Sequence, residues 1–462
     1  MADTWSIEPS VPGIRYPNDF TLIHLTLFTS ITNMDVSSIL VELSYNEDVF
    51  NNTASGYLMV VDSMGFINNL HLNGNEFIRI SFGKGDTTTN IVDKTFRVFN
   101  ITRREPKNEG STETYSIYFC SEELLLSEQY KISKSYKGSD ITSNIKDILK
   151  THLQVPEKKI SKIDQTYGIY DFIVPYLKPF DAINWLSTYA RPGENNFGSW
   201  SMIGADMVFY EDKFGYNFRS LQSLYSQSPM RQYFYNPKNL NVTDMAYNLS
   251  NALSYEIMDS FDTLGAINQG VFANRVLSLD VLLRRYQKTD FSYNEYAGKA
   301  THLNTWPIIN NYQNRFGDKL YETPEASFKL VFSNSNQNDS SLVKSNPGSV
   351  AHDIFAETYI PNRTAQIPLA NYTRVKISVP GDPALTAGVV INFNLTSKNP
   401  DPQLKATDKF YSGNYLVTAV RHLLTPFQYR TVLELCKEST TEPYASVKNS
   451  SPGWTNAVKG NM

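Results

Sequence analysis

Short runs in which apolar and polar residues alternate recur through the first 120 residues. "FTLIHLTLF" (20–28) sets Ile23, Leu25 and Leu27 on one side of an extended chain, and alternation with period two marks a strand with one buried face. "SILVELSY" (38–45), "GYLMVVD" (56–62), "FIRISF" (77–82), "TFRVFNI" (95–101) and "YSIYFC" (115–120) follow, separated by turn clusters such as "NNTASG" and "NGN". Several short strands at this spacing predict an antiparallel barrel or sandwich.

The period then changes. "SDITSNIKDILKTHL" (139–153) carries Ile141, Ile145, Ile148 and Leu149 at the spacing of one helix face, with Ser139 or Asp140 as N-cap. "KPFDAINWLSTYARPG" (178–193) predicts a second helix, with Pro179 in its first turn and Pro192-Gly193 at its end. "MVFYEDKFGYNF" (207–218) reads as a hairpin turning near Gly215. Strands return at "LSYEIMDSF" (253–261) and "NRVLSLDVLLRRY" (274–286), and again at "RVKISV" (374–379), "GVVINF" (388–393), "YLVTAV" (415–420) and "RTVLELC" (430–436). Between them lies an Asn- and Tyr-rich stretch including the loop-like "SNSNQNDSSLVKSNPGS" (333–349).

The two strand-rich regions align in order. "LMVVD" (58–62) sits against "VLSLD" (276–280), and "IRISF" (78–82) against "VVINF" (389–393). Phe96, Val98 and Ile101 match Tyr415, Val417 and Val420; Ile117, Phe119 and Cys120 match Leu433, Leu435 and Cys436. The second copy would then hold about 90 extra residues, as if a domain had been inserted into one of its loops. The expected fold is α+β and mainly antiparallel β. It comprises a first tube-like β-barrel (20–135), an α+β middle domain (136–252), a second, discontinuous barrel (253–290 and 370–437), an insertion packing with the middle domain (291–369) and a polar C-terminal tail (438–462). Alternation also assigns Tyr415, Val417 and Ala419 to one face of their strand and Leu416 and Val420 to the other.

Composition narrows the function. The 462 residues carry a net charge of −4, whereas tight nucleic-acid binders present a basic face to phosphates. Mild acidity suits a channel through which DNA slides without being held. Two cysteines, Cys120 and Cys436, are too few for a disulfide framework. The N-terminus has no signal-peptide pattern, and no run reaches the roughly 18 apolar residues of a membrane span, which predicts synthesis in a reducing cytoplasm.

Catalytic patterns are weak. None of His24, His71, His152, His302, His352 and His422 stands three or four residues from another, so a helical metal site is not expected. His422 reads as a hydrogen-bonded structural histidine, with Arg103 as its counterpart in the first copy. "GKGD" (83–86) is too short for a phosphate loop and reads as a hairpin turn. Glu122-Glu123 and the acids of "EDKFG" read as solvated. No cofactor, metal or enzymatic activity is expected.

"DTLGAINQGVFANRVLSLD" (262–280), "LTAGVVINF" (385–393) and "GNYLVTAVRHLLTPFQYRTVLELC" (413–436) resemble the central hub proteins of contractile bacteriophage baseplates and, more distantly, the late-control tail proteins and the hub half of type VI secretion spikes. The shared pattern is carried here by Gly413, Tyr415, Val417, Val420, His422, Tyr429 and Thr431. The resemblance implies a homotrimer whose duplicated barrels make a pseudo-six-fold ring. That ring would adapt a three-fold central spike protein to the six-fold tail tube protein, touch baseplate wedge proteins and the tape-measure protein, and pass DNA as transient cargo. It implies a place in the virion baseplate after assembly in the host cytoplasm. The chain stops soon after the second barrel, so the spike would be a separate protein. The alternative is a tail protein that binds or cleaves host glycans, in keeping with the Tyr- and Asn-rich makeup.

Overall fold

The computed structural model describes residue 14 and residues 16–70, 72–85, 90–107, 112–193, 206–236, 244–280, 284–309, 317–332, 350–351, 359–397 and 407–443. The loop-like 333–349, His71 and His352 lie outside them.

Seven strands open the chain: β1 (Thr21–Phe28), β2 (Asn33–Asp35), β3 (Leu40–Asp48), β4 (Ser55–Asp62), β5 (Phe77–Gly83), β6 (Val92–Lys107) and β7 (Thr112–Cys120). They lie in the order β3-β4-β7-β6-β5-β1-β2, all antiparallel. Their inward residues, among them Leu25, Leu43, Tyr45, Leu58, Ile80, Phe96 and Phe119, form one core. Ile23 departs from the expected face: the register slips between Leu22 and His24, and Ile23 is exposed while Leu25 and Leu27 are buried.

The middle region follows with β8 (Ser135–Ser139), β9 (Ile160–Ile163), β10 (Ile169–Ile173), β11 (Met207–Asp212) and β12 (Gly215–Ser220). The helix Ile141–Asp147 is capped by Asp140, whose carboxylate accepts from the Ser143 N–H, and it continues as one π turn to His152. Ile141, Ile145, Ile148 and Leu149 are all buried in this region's core. The second helix, Pro179–Ser187, ends earlier than the Pro192-Gly193 signal indicates. The β11–β12 hairpin turns at Lys213-Phe214. Gly215 follows with φ +138°, and a Cβ there would stand 2.0 Å from the Lys159 carbonyl oxygen.

Two strands lead back into the large sheet, β13 (Arg231–Tyr235) and β14 (Ser254–Ser260). A separate body comes next, with β15 (Ala273–Asp280), β16 (Arg285–Ser292), β17 (Trp306–Pro307), β18 (Phe328–Phe332) and β19 (Val350–Ala351). The helix Ile360–Ala370 packs here with Phe272, Phe291, Tyr293, Tyr296 and Leu320. This body reaches the middle region through the parallel pairing of β19 with β10 and through the Arg363 guanidinium, which donates to the Met207 carbonyl. The chain ends its described part with β20 (Thr373–Pro380), β21 (Val390–Leu395), β22 (Gly413–Thr425), β23 (Gln428–Lys437) and β24 (Ser439–Thr440).

The second half of the large sheet runs β14-β20-β23-β22-β21-β13. Numbered by position within each half, and leaving out the short β2, both halves follow one order: second, third, sixth, fifth, fourth, first. The residue register agrees. Val98 faces Phe119 as Val417 faces Leu435, Ile101 faces Ile117 as Val420 faces Leu433, and each long strand bulges directly after its valine.

Four expectations are corrected. "VLSLD" does not belong to the repeat: β15 pairs with β16 and β18 in its own sheet, and the counterpart of β4 is β20. The alternation of 276–280 was that of a strand in the inserted body, and alternation alone does not say which sheet a strand joins. The "VVINF" match is out by two residues, since Ile78 faces Phe96 as Ile391 faces Tyr415; a shift of two keeps every side chain on its face. The halves are also continuous, because the second part of β22 pairs with β3. Finally, the tail does not begin at 438: Glu438, Ser439 and Thr440 are buried, and β24 pairs with β17. Glu438 accepts from the Leu303 N–H at 2.7 Å and lies 2.9 Å from His302.

Candidate functional site

All seven residues of the resemblance pattern lie on the β22–β23 hairpin, and all are buried. The bulge between Val417 and Ala419 turns the strand over. Val420 therefore joins Tyr415 and Val417 in one core, while Leu416 faces another; the two-face assignment from alternation fails because a bulge adds one residue to one strand only. Tyr415 donates from its hydroxyl to the Tyr411 carbonyl at 2.6 Å. Gly413 adopts φ +129°, with Asn304 and Thr441 at 2.8 Å from where a Cβ would stand. Thr431 accepts at its hydroxyl from the Asp382 N–H.

His422 is enclosed. Its Nδ1 is 2.7 Å from the Tyr429 hydroxyl, and its ring stacks on Tyr45 beside Phe82. Burial pulls the imidazole down to about 3, so it is neutral near pH 7. Arg103 is exposed and sits at φ +54° in a second bulge of β6. The histidine's packing is thus a feature of one half only.

The region richest in titratable groups is one the sequence reading missed. Glu211 and Asp212, expected to be solvated, are buried where the β11–β12 hairpin inserts against the first half-sheet. Glu211 accepts from the Ala54 N–H at 2.9 Å and from the Ser121 hydroxyl, and its other oxygen pairs with Lys94 at 2.7 Å. Lys94 also donates to the Asp212 carbonyl. Close by, Glu47 accepts from the Tyr45 hydroxyl at 2.8 Å and from the Ala387 N–H of the second half at 2.9 Å. Lys213 donates to the Pro383 carbonyl at 2.7 Å, and Lys84, within the supposed "GKGD" turn, donates to the carbonyls of Pro17 and Gly381. This junction ties both half-sheets to the middle region. Glu47 shares the inward parity of Leu43 and Tyr45 on β3, and an acid at an inward strand position was the available signal. Glu123, also expected to be solvated, is buried and pairs with Lys159 at 2.7 Å.

Burial, then the charge of Asp212, pushes the Glu47 carboxyl up to about 7 from its ordinary 4.5. The folded chain then holds a proton that the unfolded chain has lost between these values. Glu47's contribution to stability is fully present below about pH 4.5 and is lost as pH rises through about 7. Relative to Glu47→Gln, the native chain should therefore gain about 3 kcal/mol of stability between pH 7.5 and 4.5. Urea unfolding of both proteins across this range measures it, and a pH-independent difference would contradict the buried-acid account.

A cavity of about 20 Å³ lies among Asp206, Gln222, Tyr296, His302 and Glu438, room for about one water. Among the described residues no cluster of His, Cys, Asp and Glu could hold a metal, and no helix is long and apolar enough to cross a membrane. The titratable groups named above act as ties between elements.

No family model matches the chain. It is 24% identical over 405 residues to the protein described as "Probable baseplate hub protein gp334" of Vibrio phage KVP40, covering 84% of this chain and 88% of that one. A tail protein from Neisseria meningitidis MC58 shares the fold at a TM-score of 0.50 and 11% identity, over 90% of this chain and 96% of the other. The 43 kDa tail protein of prophage MuSo2 from Shewanella oneidensis does so at 0.50 and 9% identity, over 90% and 98%. The chain is thus similar in sequence to a protein described as a probable bacteriophage baseplate hub protein, and similar in fold to two tail proteins.

Proposed function

We propose that three copies of the chain form a closed ring that adapts a three-fold central spike to the six-fold tail tube. Each copy contributes two similar tube-like domains, 20–135 and a second one built from β13, β14 and β20–β23, so three copies present six. The observation that carries this reading is the strand order found twice in one chain, with the bulge at the same place in each copy. Head-to-tail association gives a ring when the rotation between copies closes. The ring's opening would pass DNA, and its two sides would meet tube and spike, with wedge proteins at the rim. Particles imaged by electron microscopy should show three copies of the chain around the tail axis. Two or six copies would overturn the reading.

A further inference from the structure

The cavity of about 20 Å³ lies on the seam between the middle region and the inserted body. Asp206, directly before β11, and Gln222, in the helix Leu221–Tyr225, line it from the middle region. Tyr293 and Tyr296, in the helix Tyr293–Ala297, line it from the inserted body. Asp206 and Tyr293 are each 1% exposed and Tyr296 is 6% exposed.

The hydrogen bonds of these groups do not balance. Asp206 Oδ2 accepts from the Gln222 N–H at 2.9 Å. Its other oxygen, Oδ1, has no partner among the described residues, and neither has the Tyr293 hydroxyl. The Tyr296 hydroxyl accepts from the side-chain amides of Gln222, at 3.4 Å, and of Gln366; neither bond uses its hydrogen. The cavity wall therefore offers one carboxylate oxygen and two hydroxyl hydrogens. Its remaining charged groups are engaged with one another and with the backbone. His302 meets Glu438 at 2.9 Å through Nδ1 and the Ala297 carbonyl at 2.7 Å through Nε2. The other Glu438 oxygen accepts from the Leu303 N–H and the Ser439 hydroxyl. Burial pushes the Asp206 carboxyl up to about 6, so near pH 7 it is mostly ionised, and a buried carboxylate oxygen without a donor is costly.

We propose that this cavity is a binding site for one water molecule. The water donates to Asp206 Oδ1, accepts from the Tyr296 hydroxyl and takes the Tyr293 hydroxyl as its third partner. The volume of about 20 Å³ exceeds the roughly 10–15 Å³ that one water needs, and about three hydrogen bonds are usual for a buried water. A calcium or magnesium ion fits poorly, because it takes about six or more oxygen ligands and two of the three groups here present hydrogens. The bridge adds a tie between the middle region and the inserted body to the two already described, the β19–β10 pairing and the Arg363 bond to Met207.

A density map of the full chain, at a resolution that shows ordered water, tests the site. The expected result is a single peak at roughly 2.7–3.2 Å from Asp206 Oδ1 and from at least one of the two hydroxyls. A dry cavity, or a tyrosine bonded directly to Asp206 Oδ1, would overturn the proposal. So would a peak with about six oxygen neighbours at roughly 2.0–2.6 Å, the mark of a cation. In Asp206→Leu the acceptor is gone and methyl groups take its place, so the peak should be lost. Oxygen-17 relaxation dispersion should then count one long-lived water fewer than in the native chain, and an equal count would overturn Asp206 as the anchor. The native map decides the matter even where this variant fails to fold.

Discussion

Val417→Asp is expected to cost about 5 kcal/mol and to unfold the second half-sheet. Val417 is fully buried among Leu385, Ile391, Tyr415, Val420 and Leu435. The substitution forfeits the burial of an aliphatic side chain, worth about 1.5–3 kcal/mol, and places a carboxyl where no donor is arranged to meet it, at about 2–7 kcal/mol more. That is a large part of the 5–15 kcal/mol that holds a typical domain together. Val420→Asp should act alike, since the bulge puts both valines in one core. Ring assembly would also fail in these variants, but as a consequence of unfolding, because neither side chain reaches the surface. Thermal unfolding and limited proteolysis of the isolated chain would show the loss. A variant with native stability that still failed to assemble would mean that this face of β22 is an interface and not a core.

Glu211→Ala should cost about 3–5 kcal/mol, the usual effect of removing one partner from a buried ion pair. The Glu211 side chain is 1% exposed and that of Lys94 9%. Truncation would leave the Lys94 ammonium with the Asp212 carbonyl but no counter-charge, and would take the acceptor from the Ala54 N–H and the close acceptor from the Ser121 hydroxyl. The loss comes from stranded groups, so removing both charges should be milder than removing one. Glu211→Leu with Lys94→Met is expected to recover most of the stability, as apolar replacements of buried pairs commonly do. A double-mutant cycle in urea separates the two effects. A loss under about 1 kcal/mol for Glu211→Ala would show that solvent reaches the junction. The junction bears on assembly as well as on stability, because it fixes both half-sheets against the middle region. The proposed ring of six similar units would need those angles held.

The repeat was legible where local pattern and register coincide. Val98 and Val417, Ile101 and Val420, and the two cysteines fall at equivalent ladder positions, as their spacing indicates. The helix over Ile141–Asp147 was also legible, because its cap and its apolar stripe are both local signals. The origin of β4's counterpart was not. "VLSLD" alternates as well as "VKISV" does, and only hydrogen bonds to distant strands decide which one enters the large sheet. Glu211 and Glu123 looked like surface acids because nothing near them in sequence supplies their partners, Lys94 and Lys159.

The sequence by itself determined that this chain is mainly antiparallel β with a helical interlude, that one β pattern occurs twice, and that its family likeness is to phage hub proteins. These properties are written in periodicity and in short motifs, which act over a few residues. The tertiary structure alone decided that β20 and not β15 completes the repeat, that bulges turn Val420 inward, and that a buried set of charges welds the halves to the middle. Each of these depends on groups tens to hundreds of residues apart, whose pairing follows from the packing of whole sheets and from the cost of burying a charge without a partner.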